Sequence, residues 1–289
     1  MLAKSLLPAP KWLTCMLCAA MLAEGAPTIA QPATCPVTIT AFSVEGARYD
    51  PLGDGFSGTI TAQVESRTDE PCEAELQLTD SSGSLLRLLD LPGYTLPLRL
   101  ELLAAPGVTP LAHPATARLL IPTNSPPLKV HWLAFAQASQ LLPPGDYAMP
   151  ITARSGDASL TSQLAFASPA RAQVSFAGGS PNQTIDLGVL QPGKRGRAVL
   201  QVRANTHPSI TLVSANRGHL SNVNVPGATI PYALTLDGTP IDLRSEWRQA
   251  MTVPTNQHGQ MLQIEVSIGE FAGALAGSYR DDVTIEISP

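Results

Sequence analysis

The chain has 289 residues, a formal net charge of −5, and contents of 44% hydrophobic and 14% charged residues. This length predicts two domains or one large all-β domain, and the low charged content argues against an intrinsically disordered chain. The mild acidity excludes an electrostatic surface for nucleic acid, so we expect no nucleic-acid partner. The 27 Pro and 22 Gly interrupt the sequence too often for long helices.

The first residues have the pattern of a secretory signal peptide. Lys4 and Lys11 supply positive charge, 12–23 is apolar, and small residues follow, so we expect cleavage after Ala30. A membrane anchor is the alternative, although the apolar run is short for a bilayer span. We therefore assign 1–30 as a signal peptide and expect export.

Export determines how the cysteines are interpreted. Cys15 and Cys18 fall within the predicted signal peptide, whereas Cys35 and Cys72 remain in the mature chain. A single cysteine pair in an exported protein predicts a disulfide. Closing a loop of this length stabilises a fold by roughly 3–4 kcal/mol in the chain-entropy model. Two free thiols are the alternative.

Strict alternation of apolar and polar residues dominates the mature chain. It predicts half-buried strands of antiparallel sheets at 59–66, 73–80, 197–204, 209–215, 232–238, 261–269 and 282–288. Turn signals rich in Gly, Pro, Asp and Ser separate these runs. We expect short helical turns only at 132–142 and 245–251. The predicted fold class is therefore all-β.

Four sequence patterns occur twice in the same order, which indicates an internal duplication. The pairs are 60–64 with 198–202, 83–85 with 218–220, 92–100 with 226–234, and 145–152 with 277–284. The last pair shares the pattern G-x-Y-x-x-x-[IV]-T, and its two tyrosines are Tyr147 and Tyr279. Coincidence among turn-rich segments is the alternative. The duplication predicts an N-terminal β-sandwich domain at 31–167, a linker at 168–172 and a C-terminal domain at 173–289.

The sequence offers no catalytic constellation. It lacks the common nucleophile, metalloprotease and phosphate-loop motifs, and its five histidines show no metal-ligand spacing. Asp281 and Asp282 beside Arg280 fit a solvated face better than an acid–base pair. We therefore expect no enzyme activity, no metal and no cofactor. A secreted hydrolase would need convergent polar residues that the sequence does not reveal.

Four segments resemble the spore coat protein U domain, which is similar to the subunits of archaic chaperone–usher pili. They are "FSVEGARYDP" (42–51), "SITLVSANRGHL" (209–220), "IPYALTLDGTPI" (230–241) and "AGSYRDDVTIEI" (276–287). The most specific part is the terminal strand, with Gly277, Tyr279, Asp281, Val283 and Thr284. The first domain departs from this pattern, because Met149 and Pro150 stand where the second has Asp281 and Asp282.

The resemblance implies two tandem immunoglobulin-like sandwiches, one of which lacks a strand, so that an edge must be covered by a foreign strand. A periplasmic chaperone would lend that strand first, and a neighbouring pilin would replace it after passage through an outer-membrane usher. The expected location is the periplasm in transit and then the cell surface. The second domain is expected to be the strand-deficient one. A non-fibrous secreted coat-type protein of the outer surface is the alternative.

Two further expectations concern adhesion. The segment between the expected cleavage site and Cys35 contains two prolines and is a poor strand donor, which suggests a subunit at the fibre tip. The first domain would then contact an unknown surface ligand. Trp132, Leu133 and Phe135 are candidates for an adhesive apolar patch, with ordinary core packing as the alternative.

Overall fold

The computed structural model describes residues 35–137, 141–252 and 258–289, so the predicted signal peptide lies outside the described residues. All regular structure in the described part is β, in twenty-one strands β1–β21. No described helix is long and apolar enough to cross a membrane. The expected helical turns are wrong: 132–136 belongs to a strand, and so does 247–250. Alternating burial of Trp132, Ala134 and Ala136 explains the first of these strands.

The first sandwich consists of two antiparallel sheets. One has the order β1 (Val37–Asp50), β2 (Gly55–Ser66), β9 (Leu128–Ala136) and β6 (Arg99–Leu102). The other has the order β11 (Ala158–Ser168), β10 (Gly145–Ser155), β3 (Cys72–Thr79), β8 (Thr116–Ile121) and β7 (Val108–Pro110). A hairpin of β4 (Leu88–Leu91) and β5 (Tyr94–Pro97) accompanies them. The two inner faces enclose one hydrophobic core, in which Trp132 and Phe56 are fully buried.

The second sandwich has one large and one small sheet. The large sheet has the order β12 (Ala172–Phe176), β13 (Arg195–Ala204), β19 (Gln260–Ile268), β16 (Thr229–Leu236), β15 (His219–Asn222) and β20 (Tyr279–Arg280), and β17 (Thr239–Ile241) pairs with β16. The small sheet has the order β18 (Trp247–Ala250), β14 (Ser209–Ser214) and β21 (Val283–Ser288). A second hydrophobic cluster lies between these sheets. The fold is thus two tandem immunoglobulin-like sandwiches.

The two sandwiches repeat each other down to strand register. In the first, Ile60 pairs with Trp132, and in the second the corresponding Ala198 pairs with Ile264. The next strand of each sheet also matches. In the first sandwich Leu100 of β6 pairs with Ala134 of β9, and in the second Leu234 of β16 pairs with Val266 of β19. These pairs follow the offsets of the sequence patterns. The duplication therefore extends from the turn motifs to the pairing of whole strands.

The predicted disulfide between Cys35 and Cys72 is confirmed. The bond joins the start of β1 to the start of β3, with the two Cα atoms 5.4 Å apart. The hydroxyl of Ser66 lies 3.3 Å from the sulfur of Cys72. Because the linked residues are 37 positions apart, the bond restricts a long loop of the unfolded chain.

A buried asparagine joins the two sandwiches. Asn205, only 1% exposed, directly follows β13, and its Nδ2 donates hydrogen bonds to the carbonyls of Leu142 (2.9 Å) and Pro169 (2.8 Å). Its Oδ1 accepts a bond of 2.8 Å from the Arg171 amide. Leu142 also accepts a bond from the hydroxyl of Ser168, at the end of β11. The described residues form one compact unit, so the domain boundary at 168–172 stays a prediction.

Candidate functional site: the open edge of the second sandwich

The two sandwiches differ most clearly in the strand that carries the duplicated tyrosine motif. In the first sandwich this strand is β10, which pairs with β3 on one side and with β11 along its whole length on the other. Its counterpart β21 pairs with β14 in the equivalent register, but no described residue pairs with its other side. Thr152 and Thr284, at matching positions, face Thr79 and Val213. The second sandwich therefore lacks a counterpart of β11 among the described residues.

The missing cover leaves the inner face of β21 partly exposed. The inward positions of the covered strand β10 are buried, with exposed fractions of 4% for Met149, 0% for Ile151, 0% for Ala153 and 6% for Ser155. Their counterparts Asp281, Val283, Ile285 and Ile287 are all only partly buried. In the first core, buried hydrophobic residues far outnumber partly buried ones, whereas in the second the two groups are similar in size. The second core is thus incompletely covered.

An extended segment, 184–190, lies across the uncovered strand position from β21. A Cβ atom added to Gly196 of β13 would collide with the side chains of Ile185 and Leu187, so this segment lies against the inner face of β13. The repeat counterpart of Gly196 is Gly58, where an added Cβ would lie 3.3 Å from the Cα of Ala47 in β1. Segment 184–190 therefore stands where the second part of β1 stands in the first sandwich.

The position of β1 shows what is missing. In the first sandwich β1 lies alongside β11, and β11 pairs with β10. By the repeat, a strand equivalent to β11 would lie between segment 184–190 and β21. We call this space the open groove and define its apolar lining as Ile185, Leu187, Val283, Ile285 and Ile287, all of which pack on the second core.

Backbone groups along the open groove also lack main-chain partners among the described residues. No backbone-to-backbone hydrogen bond involves 183–190 in the described part of the chain, and β21 has such bonds only toward β14. Local side-chain bonds occur, such as that from the Gly188 amide to Asp186 (2.8 Å). Unpaired edges flanking an apolar groove are the arrangement in which an added strand gains main-chain hydrogen bonds and side-chain pockets together.

Asp281 forms a polar cluster at the end of the groove where β21 begins. Its Oδ2 accepts hydrogen bonds from the hydroxyls of Tyr232 and Ser214 (2.6 Å), and its Oδ1 accepts one from the Asn216 amide (2.9 Å). Ser214 in turn accepts a bond from the Gly218 amide (2.8 Å). Burial, together with the nearby Asp281 carboxylate, raises the pKa of Tyr232, so its hydroxyl remains a donor. The cluster ties the entry of β21 to β14 and β16.

The two tyrosines of the duplicated motif make the same local contact. The hydroxyl of Tyr147 donates to the carbonyl of Pro143 (3.0 Å), and that of Tyr279 donates to the carbonyl of Leu275 (2.8 Å). This backward bond over four residues is the tyrosine-corner arrangement of immunoglobulin-like folds. Gly277 is required nearby, because a Cβ there would lie 2.8 Å from Nδ2 of Asn222.

The proposed adhesive residues do not form one exposed patch. Trp132 is completely buried, with its indole N–H donating to the carbonyl of Pro114 (3.2 Å), whereas Phe135 exposes 38% of its surface and Leu133 is intermediate. Adhesion through these residues stays a prediction. The described residues contain no group of three or more His, Cys, Asp or Glu side chains that could hold a metal ion.

Three features of the structure were missed by the sequence reasoning. They are segment 184–190 and Gly196 at the groove, and Asn205 at the junction of the two sandwiches. Gly58 and Gly196 lie two residues before the matched strand patterns, and Ile185 and Leu187 alternate as strand residues do. These signals did not stand out, because short segments rich in Gly, Asp and Asn are normally interpreted as loops.

No family model matches the sequence, and no curated protein matches it either. Among solved structures, the chain resembles the chaperone–tip adhesion subunit pre-assembly complex CsuC–CsuE of archaic chaperone–usher Csu pili from Acinetobacter baumannii. The identity is 12%, the match covers 86% of this chain and 99% of that chain, and the TM-score is 0.42.

The chain also resembles the CupB6 tip adhesin from Pseudomonas aeruginosa, with 11% identity, 88% and 92% coverage and a TM-score of 0.28. A third similar structure is the CooA pilin subunit from enterotoxigenic Escherichia coli, with 15% identity, 40% and 86% coverage and a TM-score of 0.30. Identities and scores this low leave the function to be inferred from the geometry of this chain.

Proposed function

We propose that this protein is an exported subunit of a surface pilus and that its second sandwich accepts a β-strand from another polypeptide. One observation carries the proposal: the same strand position is covered by β11 in the first sandwich, whereas no described residue covers it in the second. A hydrophobic, unpaired edge is an aggregation hazard, so a protein that retains one must be covered in its working state. Strand addition supplies that cover.

The proposed partners follow from this need. During export the groove needs a temporary strand, which is the role of a periplasmic chaperone. Assembly through an outer-membrane usher would then exchange it for the extended segment of a neighbouring pilin. The final location is the cell surface. The non-fibrous coat-type protein remains the second candidate, and failure to recover a chaperone with the protein from periplasm would favour it.

We further propose a position at the fibre tip. Within the described residues, β10 of the first sandwich is covered by β11 and the equivalent groove is filled, so we assign the acceptor role to the second sandwich. The first sandwich is then free to contact an unidentified surface ligand. An antibody against the first sandwich should label the ends of intact fibres, and even labelling along the shaft would contradict the tip position.

Hydrogen–deuterium exchange of the full chain tests the acceptor role directly. Without a partner, amides of β21 and 184–190 should exchange quickly, whereas β10 in the same molecule should be protected and serves as the internal control. A peptide of alternating apolar and Thr residues should protect β21 and 184–190, and a scrambled peptide should not. Protection of β21 equal to that of β10 in the free protein would refute the proposal.

A further inference from the structure

We infer that Asp281 determines which strands the open groove accepts and in which register they bind. The inference rests on the proposed acceptor function and adds a selection rule to it. An incoming strand should carry large apolar residues opposite Val283, Ile285 and Ile287. Opposite Asp281 it should carry a polar or cationic residue, and a large apolar residue there should be rejected.

The first sandwich shows what the position does when it is apolar. The counterpart of Asp281 is Met149, which is buried and pairs with Leu164 of β11. Leu164 is itself fully buried. At this position the closed sandwich therefore has an apolar pair, and the covering strand continues its hydrophobic contact through it. The open sandwich has the carboxylate of Asp281 where the closed sandwich has Met149.

The surroundings of Asp281 leave part of its hydrogen-bonding capacity unused. Oδ2 accepts two hydrogen bonds, from Tyr232 and Ser214, while Oδ1 accepts one, from Asn216. A carboxylate oxygen can accept two, so Oδ1 retains one acceptor site. The flanking Arg280 and Asp282 pair with each other at 2.7 Å rather than with Asp281. A donor on an incoming strand would complete this site.

The cost of a mismatch explains the selection. Covering Asp281 with a leucine would remove a carboxylate from water without providing a compensating charge or donor, which is unfavourable. A lysine, arginine or serine at that place can bond to Oδ1 instead. Shifting a fully apolar strand by two residues would put one of its large side chains on Asp281, so the same residue fixes the register.

A peptide panel measured against the full chain tests the rule. Each peptide alternates Thr with three apolar residues and has a fourth alternate position, X, that is Leu, Ser or Lys. X is placed at either end, so that both strand directions are sampled. We expect the Lys peptide to bind at least about tenfold more tightly than the Leu peptide in one direction, with the difference shrinking at high salt.

Two variants separate selection from folding. Asp281→Met, which introduces the residue of the first sandwich, should reverse the preference in favour of Leu. Asp281→Asn keeps the shape and should abolish the preference for Lys, which covers the case in which the Met variant does not fold. Equal binding of Leu and Lys peptides to the unmodified protein, or a preference unchanged in the Asn variant, would overturn the inference. If no peptide binds at all, the acceptor function itself is wrong.

Discussion

Asn205 offers the sharpest test of how the two sandwiches are joined. Replacing it by Ala removes four hydrogen bonds: three that Nδ2 donates, to the carbonyls of Leu142 and Pro169 and to the Ser168 hydroxyl (3.3 Å), and one from the Arg171 amide. Leu142 keeps its bond from Ser168, but the other three bonds have no substitute in the side chain of Ala. A net hydrogen bond contributes about 1 kcal/mol, and a buried group left without a partner costs about 1–3 kcal/mol.

The expected loss for Asn205→Ala is therefore about 2–3 kcal/mol, since three bonds are lost without a substitute at about 1 kcal/mol each. Pro169 and Arg171 are exposed residues, so water can reach the carbonyl and the amide that lose their partner. For a chain of this size the loss corresponds to a fall in melting temperature of about 5–10 °C. Differential scanning calorimetry measures it. Asn205→Asp should be at least as harmful, because a carboxylate keeps the bond from Arg171 but cannot donate to carbonyls. Asn224→Ala, at an exposed position, is the matched control. A fall of less than about 2 °C for Asn205→Ala would refute this account of the junction.

Three further changes probe other parts of the molecule. Gly196→Ala should destabilise the second sandwich by about 1–3 kcal/mol, because its Cβ displaces Ile185 and Leu187, while Val199→Ala on the opposite face of β13 should change urea unfolding little. Replacing Cys35 and Cys72 together by Ser should lower stability by roughly 3–4 kcal/mol, and an unchanged midpoint under non-reducing conditions would contradict a stabilising disulfide. Arg197, with Arg195, lowers the pKa of Glu265 below its usual value of about 4.5. The ionised Glu265 therefore stabilises the fold above about pH 4.5, and this contribution is lost as the pH falls through the lower pKa of the folded state. The stability difference between Glu265→Gln and the unmodified protein should therefore vanish in acid, and a difference that persists at low pH would show that the ion pairs are not its source.

The strands that the sequence predicts best are those with one face buried. The alternation in 261–269 and 282–288 reappears as β19 and β21, because a period of two places every apolar residue on the core side. The same period of two defines the strand register, since a shift of a strand by one residue would move its apolar residues from the core face to the solvent face. The helical turn expected at 245–251 failed because tertiary pairing of β18 with β14 overrides local preference.

The groove itself could be predicted only through the resemblance, not through periodicity. An uncovered strand and a covered one have the same alternating pattern, and the alternation of β21 does not show that β21 lacks the second partner that β10 has. The position of 184–190 depends on a contact with Gly196, which lies several residues away and leaves no periodic signal. Asn205 is similar: a single asparagine after a strand looks like a turn residue until its three main-chain partners are known.

The duplication gives the molecule an internal comparison that separates folding from function. If both sandwiches had arisen only to form a stable scaffold, selection against exposed edges would have favoured a covering strand in each. Instead the first sandwich buries Met149 and Ile151 under β11, while the second keeps Val283, Ile285 and Ile287 partly exposed and replaces the methionine by Asp281. A carboxylate at that place would destabilise a permanently closed core, whereas it suits the proposed groove, which would receive a strand and stop it at a defined residue. This contrast supports the proposal that the opening is a binding site rather than incomplete packing.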